Sequence, residues 1–303
     1  MGDSWRNDLG KIEYQARSRM NMSASDISNG LGVSQPTVTN FENGRSDISL
    51  SRFYMILNRF YMTPGEYFAR VDDRTDFLSH FMREIRAANQ TDDLAIYARL
   101  QNEVEKKYPR SHKSPGPVEM LKLAIKGMAA SVTDPHYTFS LDDAFQIKEF
   151  MGLDGNWFEF EYAIFSLTGQ FLPLKIALPI FKDMLAAYLA HPLYLYRATF
   201  NSIVFNFCAS LIMDHNLAVA TQLLDLVQNT GPKTSNDEFS RVIYILRQAC
   251  IYLSKLPAAN DALARVKIVE DGLSLFMPEE STRDLHLLGL LGIKLKTGYR
   301  NLS

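Results

Sequence analysis

The chain has 303 residues, of which 47% are hydrophobic and 22% are charged, and its formal net charge is −2. This length suits about two domains, and this balance excludes a polycation that binds nucleic acid through bulk charge alone. The two cysteines, Cys208 and Cys250, each lie in an apolar stretch, so we expect buried thiols and no disulfide framework. Because no basic-then-apolar leader and no run of about 20 apolar residues is found, we expect a cytoplasmic protein without membrane contact.

Residues 1–70 predict five short helices with sharp boundaries. The first is expected from about Asp8 to Met20. Its apolar residues, spaced three and four apart, are Leu9, Ile12, Ala16 and Met20. The other four helices are expected to begin at Ala24, Gln35, Leu50 and Pro64. Their expected N-cap residues are Ser23, Ser34, Ser49 and Thr63. Gly32 and Gly44 are expected to end the second and third helices.

The segment at residues 32–44, GVSQPTVTNFENG, places small polar residues between three apolar ones. Val33, Val38 and Phe41 are expected to pack inward, so the polar side chains of this helix should point away from the domain. Two short helices separated at a glycine predict a helix-turn-helix, whose second helix enters the major groove of double-stranded DNA. The alternative is that these polar residues only solvate a surface helix.

Seven residues are candidates for DNA contact, because Gln and Asn pair with adenine, Thr can contact base edges, and Ser and Arg suit phosphates. They are Ser34, Gln35, Thr37, Thr39, Asn40, Arg45 and Arg17. Residues 1–70 carry one lysine and seven arginines against seven acidic residues, which gives a net charge of +1. Because this charge attracts DNA only weakly, tight binding to an operator is expected to need two copies of the chain.

After a predicted linker at residues 71–74, the pattern changes to longer helices. We expect them at residues 75–89, 92–107, 116–131, 141–152, 156–168, 173–190, 194–213, 216–229, 237–253, 258–276 and 281–298. Turn signals such as Asn89-Gln90-Thr91 separate them, and no stretch alternates as a strand does. The sequence therefore predicts an all-α protein, with a five-helix helix-turn-helix domain at 1–70 and an α-solenoid of antiparallel helix pairs at 75–303. A globular all-α bundle is the alternative for the second domain.

Residues 26–68, DISNGLGVSQPTVTNFENGRSDISLSRFYMILNRFYMTPGEYF, resemble the Cro/repressor-type helix-turn-helix. Residues 41–68, and the layout of a small DNA-binding domain before a long helical one, are similar to the Rgg/MutR regulators of Gram-positive bacteria. The segment WFEFE at 157–161 also matches a Trp-x-x-x-Glu pattern of that family. The resemblance implies a homodimeric transcription regulator that acts in quorum sensing, in which a tetratricopeptide-like domain binds a short peptide pheromone in a concave groove.

The sequence departs from these patterns at four positions. Ser28 stands where a small alanine is more common. Pro36 and Asn40 lie on the expected reading face, so the base preference of relatives does not transfer. Leu50 stands where the Rgg/MutR family often has a cysteine that can cross-link the dimer, and a leucine cannot form that bond.

The concave surface of a solenoid suits an extended peptide, whose backbone amides can be satisfied by Asn and Arg side chains. On the helix expected at 194–213, one stripe carries Arg197, Asn201, Phe205 and Cys208. On the helix at 237–253, a second stripe carries Arg241, Tyr244 and Gln248. The expected peptide contacts are Arg197, Asn201, Arg241, Tyr244 and Gln248. The alternative is that these side chains bridge neighbouring helices or face solvent.

The remaining motifs favour structural roles. The six histidines contain no His-x-x-x-His pair, no cysteine lies at metal-ligand spacing, and no phosphate-binding Gly-x-x-x-x-Gly-Lys is present, so we expect neither an enzyme nor a cofactor. The acidic pairs Asp142-Asp143 and Glu279-Glu280 are expected at helix starts, and Trp157 and Tyr162 in the core. Two further hypotheses stay open: a repressor whose large domain senses a small molecule or a partner protein, and a helical interaction scaffold.

Overall fold

The computed structural model describes residues 2–71, 77–107, 115–134, 136–190, 196–230, 237–255 and 257–295. These residues form helices and turns, with no strand among them, and they divide into two compact units, Met1–His80 and Phe81–Ser303. The all-α fold predicted from the sequence is confirmed. The predicted linker at 71–74 lies, from residue 72 onward, outside the described residues and stays a prediction.

Five helices form the N-terminal unit before residue 71. They are α1 (Gly2–Arg19), α2 (Ala24–Ser28), α3 (Gln35–Glu42), α4 (Leu50–Arg59) and α5 (Pro64–Phe68). Three of the predicted N-caps accept a hydrogen bond from the backbone of the first turn, namely Ser23, Ser34 and Thr63. Ser49 precedes α4 as predicted but makes no such bond, because its Oγ atom lies 3.3 Å from the Oγ atom of Ser51.

The ends of the first two helices differ from the prediction. The first helix starts six residues earlier than predicted, at Gly2, and ends at Arg19. Met20 therefore lies outside it and is 47% exposed, so its predicted inward orientation is wrong. Helix α2 ends at Ser28, before the predicted break at Gly32, because Gly30 also has a positive φ, of 74°. Both glycines adopt the left-handed conformation, which other residues enter at a cost.

Two adjoining apolar clusters hold the N-terminal unit together. The first joins α1, α3, α4 and α5 through Ile12, Phe41, Phe53, Leu57 and Tyr67. The second joins α2, α3 and α4 through Ala24, Ile27, Val38, Ile56 and Phe60. Helix α3 contributes to both clusters through Phe41 and Val38, so its inner face is fixed by every other helix of the unit.

Helix α1 approaches the end of α3 more closely than a side chain would allow. A Cβ atom at Gly10 would lie 2.3 Å from the carbonyl oxygen of Phe41 and 2.4 Å from that of Glu42. Such distances are well inside van der Waals contact, and the opposing atoms are backbone, which cannot rotate away. Glycine at position 10 is therefore required for this packing of α1 on α3.

Three ionisable side chains lie next to this contact. The guanidinium of Arg17 forms an ion pair with the Glu42 carboxylate, with Nη2 3.0 Å from Oε2, and donates through Nη1 to the carbonyl of Met22 at 2.8 Å. Glu13 is fully buried. Its burial, together with the neighbouring Glu42 carboxylate, raises the pKa of Glu13 to about 9. The N-terminal unit therefore keeps a proton on a buried carboxyl at neutral pH.

The remaining helices agree with the eleven predicted ones in order and closely in position. They are α6 (Phe77–Thr91), α7 (Leu94–Lys107), α8 (Pro117–Thr133), α9 (Leu141–Met151), α10 (Glu159–Thr168), α11 (Leu174–Ala190), α12 (Arg197–Met213), α13 (Leu217–Thr230), α14 (Asp237–Leu253), α15 (Ala259–Phe276) and α16 (Pro278–Leu290). A short 3₁₀ turn at Gly169–Phe171 follows α10.

Helices two apart in the chain stack on one another. Helix α8 packs against α10, α10 against α12, and α12 against α14, while α9 packs against α11. Consecutive helices from α12 to α16 also pack in pairs. This arrangement of two rows of alternating helices is that of an α-solenoid built from antiparallel pairs.

Two boundaries of the larger unit were predicted wrongly. The turn predicted at Asn89–Thr91 lies inside α6, and the chain turns instead at Asp92, whose φ is 52°. The last helix, predicted at 281–298, occupies Pro278–Leu290, and residues 291–295 leave the helix with Gly292 at a φ of 76°. Residues 296–298 lie outside the described part of the chain.

The expected core residues are buried. Trp157 and Tyr162 both lie in the core, and the indole nitrogen of Trp157 donates to Asp183 Oδ2 at 2.7 Å. Cys208 and Cys250 are fully buried free thiols, and burial raises the pKa of both. The acidic pairs Asp142-Asp143 and Glu279-Glu280 lie in the first turns of α9 and α16, as predicted.

We predict that Gly10→Ala destabilises the N-terminal unit by about 1–3 kcal/mol, because the new methyl group overlaps two backbone carbonyls. The matched control is Gly65→Ala in α5, where a Cβ atom would meet only Thr63 Oγ1 at 4.0 Å, and we expect this change to be neutral or slightly stabilising. Urea unfolding of both variants measures the difference. Equal midpoints for the two variants would show that α1 and α3 are not in backbone contact.

We predict that the stability of the N-terminal unit falls as the pH rises from about 5 to about 8, because the unfolded chain releases the Glu13 proton near its ordinary pKa while the folded chain keeps it. The loss is at most about 1.4 kcal/mol per pH unit. Glu13→Gln should flatten this slope, whereas Glu66→Gln at an exposed position should keep it. Unfolding free energies measured across this pH range test the prediction, and parallel curves for Glu13→Gln and the unchanged protein would contradict it.

Candidate nucleic-acid interface and helical groove

The outer face of α3 collects most of the residues predicted to read DNA. Gln35, Thr39 and Asn40 are exposed on it, while Val38 and Phe41 on the opposite side are buried. Val33 is half-buried and packs against the second apolar cluster. The polar and apolar residues of this segment therefore separate onto two faces, as predicted from their spacing.

The N-terminus of α3 is held by Ser34. Its Oγ atom accepts a hydrogen bond from the Thr37 backbone N–H at 3.3 Å and lies 2.8 Å from the Thr37 hydroxyl. Pro36 occupies the first turn, where its missing N–H costs no helical hydrogen bond. Ser34 and Thr37 thus fix the start of the helix, and the exposed amides of Gln35 and Asn40 are the side chains best suited to base edges.

Arg45 follows α3 and is exposed. Its backbone N–H donates to the Asn40 carbonyl at 2.8 Å, across Gly44, whose φ is 68°. The side chain of Asn43 donates to the Thr39 carbonyl at 2.7 Å and so closes the same end of the helix. This turn fixes where the Arg45 side chain leaves the backbone, in a position open to a phosphate.

The structure does not place Arg17 with the other candidates. Its side chain is 13% exposed and is occupied by Glu42 and the Met22 carbonyl, and the Glu42 carboxylate raises its pKa. A guanidinium already bonded to a carboxylate and a carbonyl is poorly placed to contact DNA. We therefore interpret Arg17 as a residue that joins α1 to the end of α3, which corrects its prediction as a DNA contact.

The larger unit contains a cavity of about 580 Å³ between α12, α14 and α16. Three of the predicted peptide contacts line it: Arg197, Asn201 and Arg241. Phe205, from the same predicted stripe, also lines it. We call this cavity the groove.

Three residues of the predicted stripes lie elsewhere. Gln248 is 2% exposed and Cys208 is fully buried, so both belong to the core rather than to a ligand surface. Tyr244 is half-buried and is not among the described residues that line the groove. The predicted contacts Tyr244 and Gln248 therefore do not line the groove, and Gln248 belongs to the core.

The third wall of the groove was not predicted from the sequence. Arg283, Asp284 and Leu287 on α16 line it, together with Asn206 on α12 and Phe239 on α14. Asn206 could have been anticipated, since it lies one residue after Phe205, a member of the predicted stripe. The α16 residues could not, because nothing local in the sequence indicates that α16 packs beside α14.

Ion pairs connect α14 and α16 along the groove. Arg241 pairs with Glu280 and with Asp284, whose Oδ2 atom lies 3.0 Å from Nε. Arg283 and Glu238 form a looser, more exposed pair at 3.7 Å. Arg241 therefore lies at the groove with its charge already neutralised, and Arg197 and Asn201 are the predicted contacts best placed to meet a ligand.

None of the helices in the described part of the chain is both long and apolar enough to cross a membrane. Within the same residues, no three His, Cys, Asp or Glu side chains are grouped in a way that could hold a metal ion.

Comparison with known proteins gives matches both for the N-terminal part and for nearly the whole chain. Residues 14–66 match the family model described as Helix-turn-helix. No curated protein matches the sequence. Among solved structures, a candidate transcriptional regulator from Listeria monocytogenes EGD-e matches with a TM-score of 0.74 at 17% identity, covering 95% of this chain and 100% of that chain.

Two further matches are pheromone-related proteins. The Streptococcus dysgalactiae SHP pheromone receptor Rgg2 matches with a TM-score of 0.67 at 16% identity, covering 91% of this chain and 99% of that chain. PrgX in its complex with cCF10 matches with a TM-score of 0.70 at 16% identity, covering 95% of this chain and 94% of that chain. The chain therefore carries an N-terminal helix-turn-helix domain and, over nearly its whole length, has the fold of the Rgg and PrgX regulators.

Proposed function

We propose that the protein is a cytoplasmic, homodimeric transcription regulator that reads operator DNA through α3 and is controlled by a short signalling peptide bound in the groove. The observation that carries the proposal is the exposed polar face of α3 in a helix-turn-helix domain, joined in one chain to a helical unit with a lined groove. The fold shared with pheromone receptors supports the choice of a peptide as the ligand.

The DNA-reading part of the proposal follows from the chemistry of α3. Gln35 and Asn40 offer amides that can pair with adenine in the major groove, and Thr39 offers a hydroxyl and a methyl group. Ser34 at the start of α3 and the exposed Arg45 after it suit phosphates. Thr37, which is half-buried, has a supporting role at the same face.

Dimerisation follows from the small charge of the N-terminal part. With a net charge of +1 over residues 1–70, one copy attracts DNA weakly, whereas two copies on neighbouring half-sites add their contacts. Leu50 is exposed on α4 and carries no thiol, so the association we propose does not depend on a covalent bond at that position.

The groove offers the two kinds of contact that a peptide needs. Asn201 and Asn206 can bond to backbone amides, and Phe205 and Phe239 provide apolar surface for a side chain. Binding here would change the relative placement of the two reading helices of a dimer, and hence the operator spacing that they fit.

A small-molecule ligand is the second candidate. A cavity of about 580 Å³ is within the range that small molecules occupy in proteins, so the size of the groove favours this alternative as well. A helical interaction scaffold is the third hypothesis, and it predicts that changes on α3 leave DNA binding untouched.

We predict that the double variant Gln35→Ala, Arg45→Ala binds DNA from the protein's own upstream region about 10- to 100-fold more weakly, because it removes one base contact and one phosphate contact per copy. The control is Asn58→Ala, Arg70→Ala, which changes the same residue classes at exposed positions off α3. Fluorescence anisotropy over a range of salt concentrations measures both affinity and the number of phosphates contacted. Equal affinities of the two double variants for DNA would favour the hypothesis of a helical interaction scaffold.

We predict that Asn201→Ala weakens binding of the signalling peptide about fivefold or more without lowering the unfolding temperature, because it removes a hydrogen-bond partner from an open cavity. Asn102→Ala on α7, whose side chain donates to the Ala98 carbonyl of its own helix, is the control. Short hydrophobic peptides encoded near the gene are first screened for an effect on DNA binding. The selected peptide is then titrated by calorimetry, and an unchanged affinity in Asn201→Ala would remove this side chain from the ligand site.

A further inference from the structure

A cluster of charged side chains forms part of the groove wall. Arg241 on α14 is 12% exposed and Asp284 on α16 is 6% exposed, and both line the groove. Arg241 is shared between Asp284 and Glu280, both on α16. The charges of this cluster therefore act on the groove with little screening by water.

Glu270 on α15 lies behind this wall. It is fully buried, and its Oε2 atom accepts a hydrogen bond from the Ser281 hydroxyl at 2.8 Å, whereas its Oε1 atom has no hydrogen-bond partner among the described residues. Burial and the neighbouring Asp284 carboxylate raise the pKa of Glu270 to about 7, despite the lowering effect of Arg241. Burial raises the pKa of Asp284 too.

The charge balance of the cluster depends on one proton. Three carboxyls, those of Glu270, Glu280 and Asp284, share the single cation Arg241. The net charge of these four groups is therefore −1 while Glu270 is protonated and −2 once it is ionised. Among the described residues, the Ser281 hydroxyl and the Arg241 guanidinium are the side-chain groups that favour the second charge.

The other charged groups around the cluster are paired among themselves. Glu238 on α14 and Arg283 on α16 face each other at 3.7 Å at the more exposed edge of the groove. On α15, Lys267 forms an ion pair with Asp271 at 2.5 Å. These pairs contribute no net charge, so Glu270 is the group whose ionisation changes the charge of the wall near neutral pH.

We propose that Glu270 is a proton-controlled charge behind the groove, which makes the groove favour ligands with a cationic group when Glu270 is ionised and accept anionic groups better when it is protonated. This rests on the proposed function in one respect, that the groove is a ligand site. The effect is electrostatic, acts over several ångströms and needs no change of fold. We expect it to change affinities by about three- to tenfold per ligand charge.

Three tripeptides test the proposal: acetyl-Phe-Leu-Lys-amide, acetyl-Phe-Leu-Glu-amide and the neutral acetyl-Phe-Leu-Gln-amide. The charges of Lys and Glu side chains are constant between about pH 6 and about pH 8, so a pH effect on affinity must come from the protein. Relative to the neutral probe, the Lys probe should bind more tightly at the higher pH and the Glu probe more weakly. Binding of each probe to the full chain is followed by NMR titration.

Glu270→Gln is the decisive variant, because it keeps the shape of the side chain and cannot ionise. In this variant the affinities of the charged probes, taken relative to the neutral one, should no longer depend on pH. Ser281→Ala removes the hydrogen bond that favours the ionised form, so it should shift the transition to higher pH. A pH dependence that survives Glu270→Gln overturns the proposal, as does one shared equally by all three probes.

A second measurement needs no ligand. Carbon-13 NMR of the glutamate carboxyls of the full chain, with Glu270→Gln used to assign the signal, reports the pKa of Glu270 directly. A midpoint near the ordinary value of 4.5 overturns the proposal, whatever the groove binds. If Glu270 titrates near neutral pH but none of the three probes binds even at high concentration, the proposal is overturned because the groove is then not a ligand site. The DNA-binding part of the proposed function is tested separately by the DNA-binding assays.

Discussion

The geometry of the groove depends on one buried cation. Arg241 on α14 forms ion pairs with two carboxylates on α16, and these ion pairs connect the helices that form two of the three groove walls. Removing one partner of such a buried ion pair leaves an uncompensated charge, which costs far more than the pair contributes. From the sequence, Arg241 was predicted to contact a ligand. In the structure, its ion pairs with Glu280 and Asp284 connect two walls of the groove. Asn201 and Arg197 on α12 are the predicted contacts on the remaining wall of the groove.

The helix-turn-helix could be predicted closely because its signals are local. Ser34 as a cap, Gly44 in the left-handed conformation and the inward spacing of Val38 and Phe41 each act within a few residues of the chain. These same features determine which side chains of α3 are exposed, so the candidate reading face followed from the pattern alone. The long helices of the second unit were predictable for a similar reason, since periodic apolar residues and turn signals recur along the chain.

The remaining features depend on contacts between residues far apart in sequence. Nothing near Arg17 in the sequence indicates that it forms an ion pair with Glu42, 25 residues later. Arg17 was therefore predicted to be a DNA contact. The close approach at Gly10 is equally invisible, because its partners are backbone carbonyls of α3. After Leu290 the apolar pattern continues at Leu291 and Ile293, which are buried, although Gly292 turns the chain out of the helix. A hydrophobic pattern predicts which residues are buried better than it predicts the conformation in which they are buried.

The burial of both cysteines has a practical consequence for labelling the protein. Cys208 and Cys250 are shielded from water, and burial disfavours the thiolate that alkylating reagents attack. A cysteine introduced at an exposed position would therefore react selectively in the otherwise unaltered chain. In the dimer that we propose, a spin label or fluorophore attached next to α3 would report the separation of the two copies of this helix, in solution and during ligand addition.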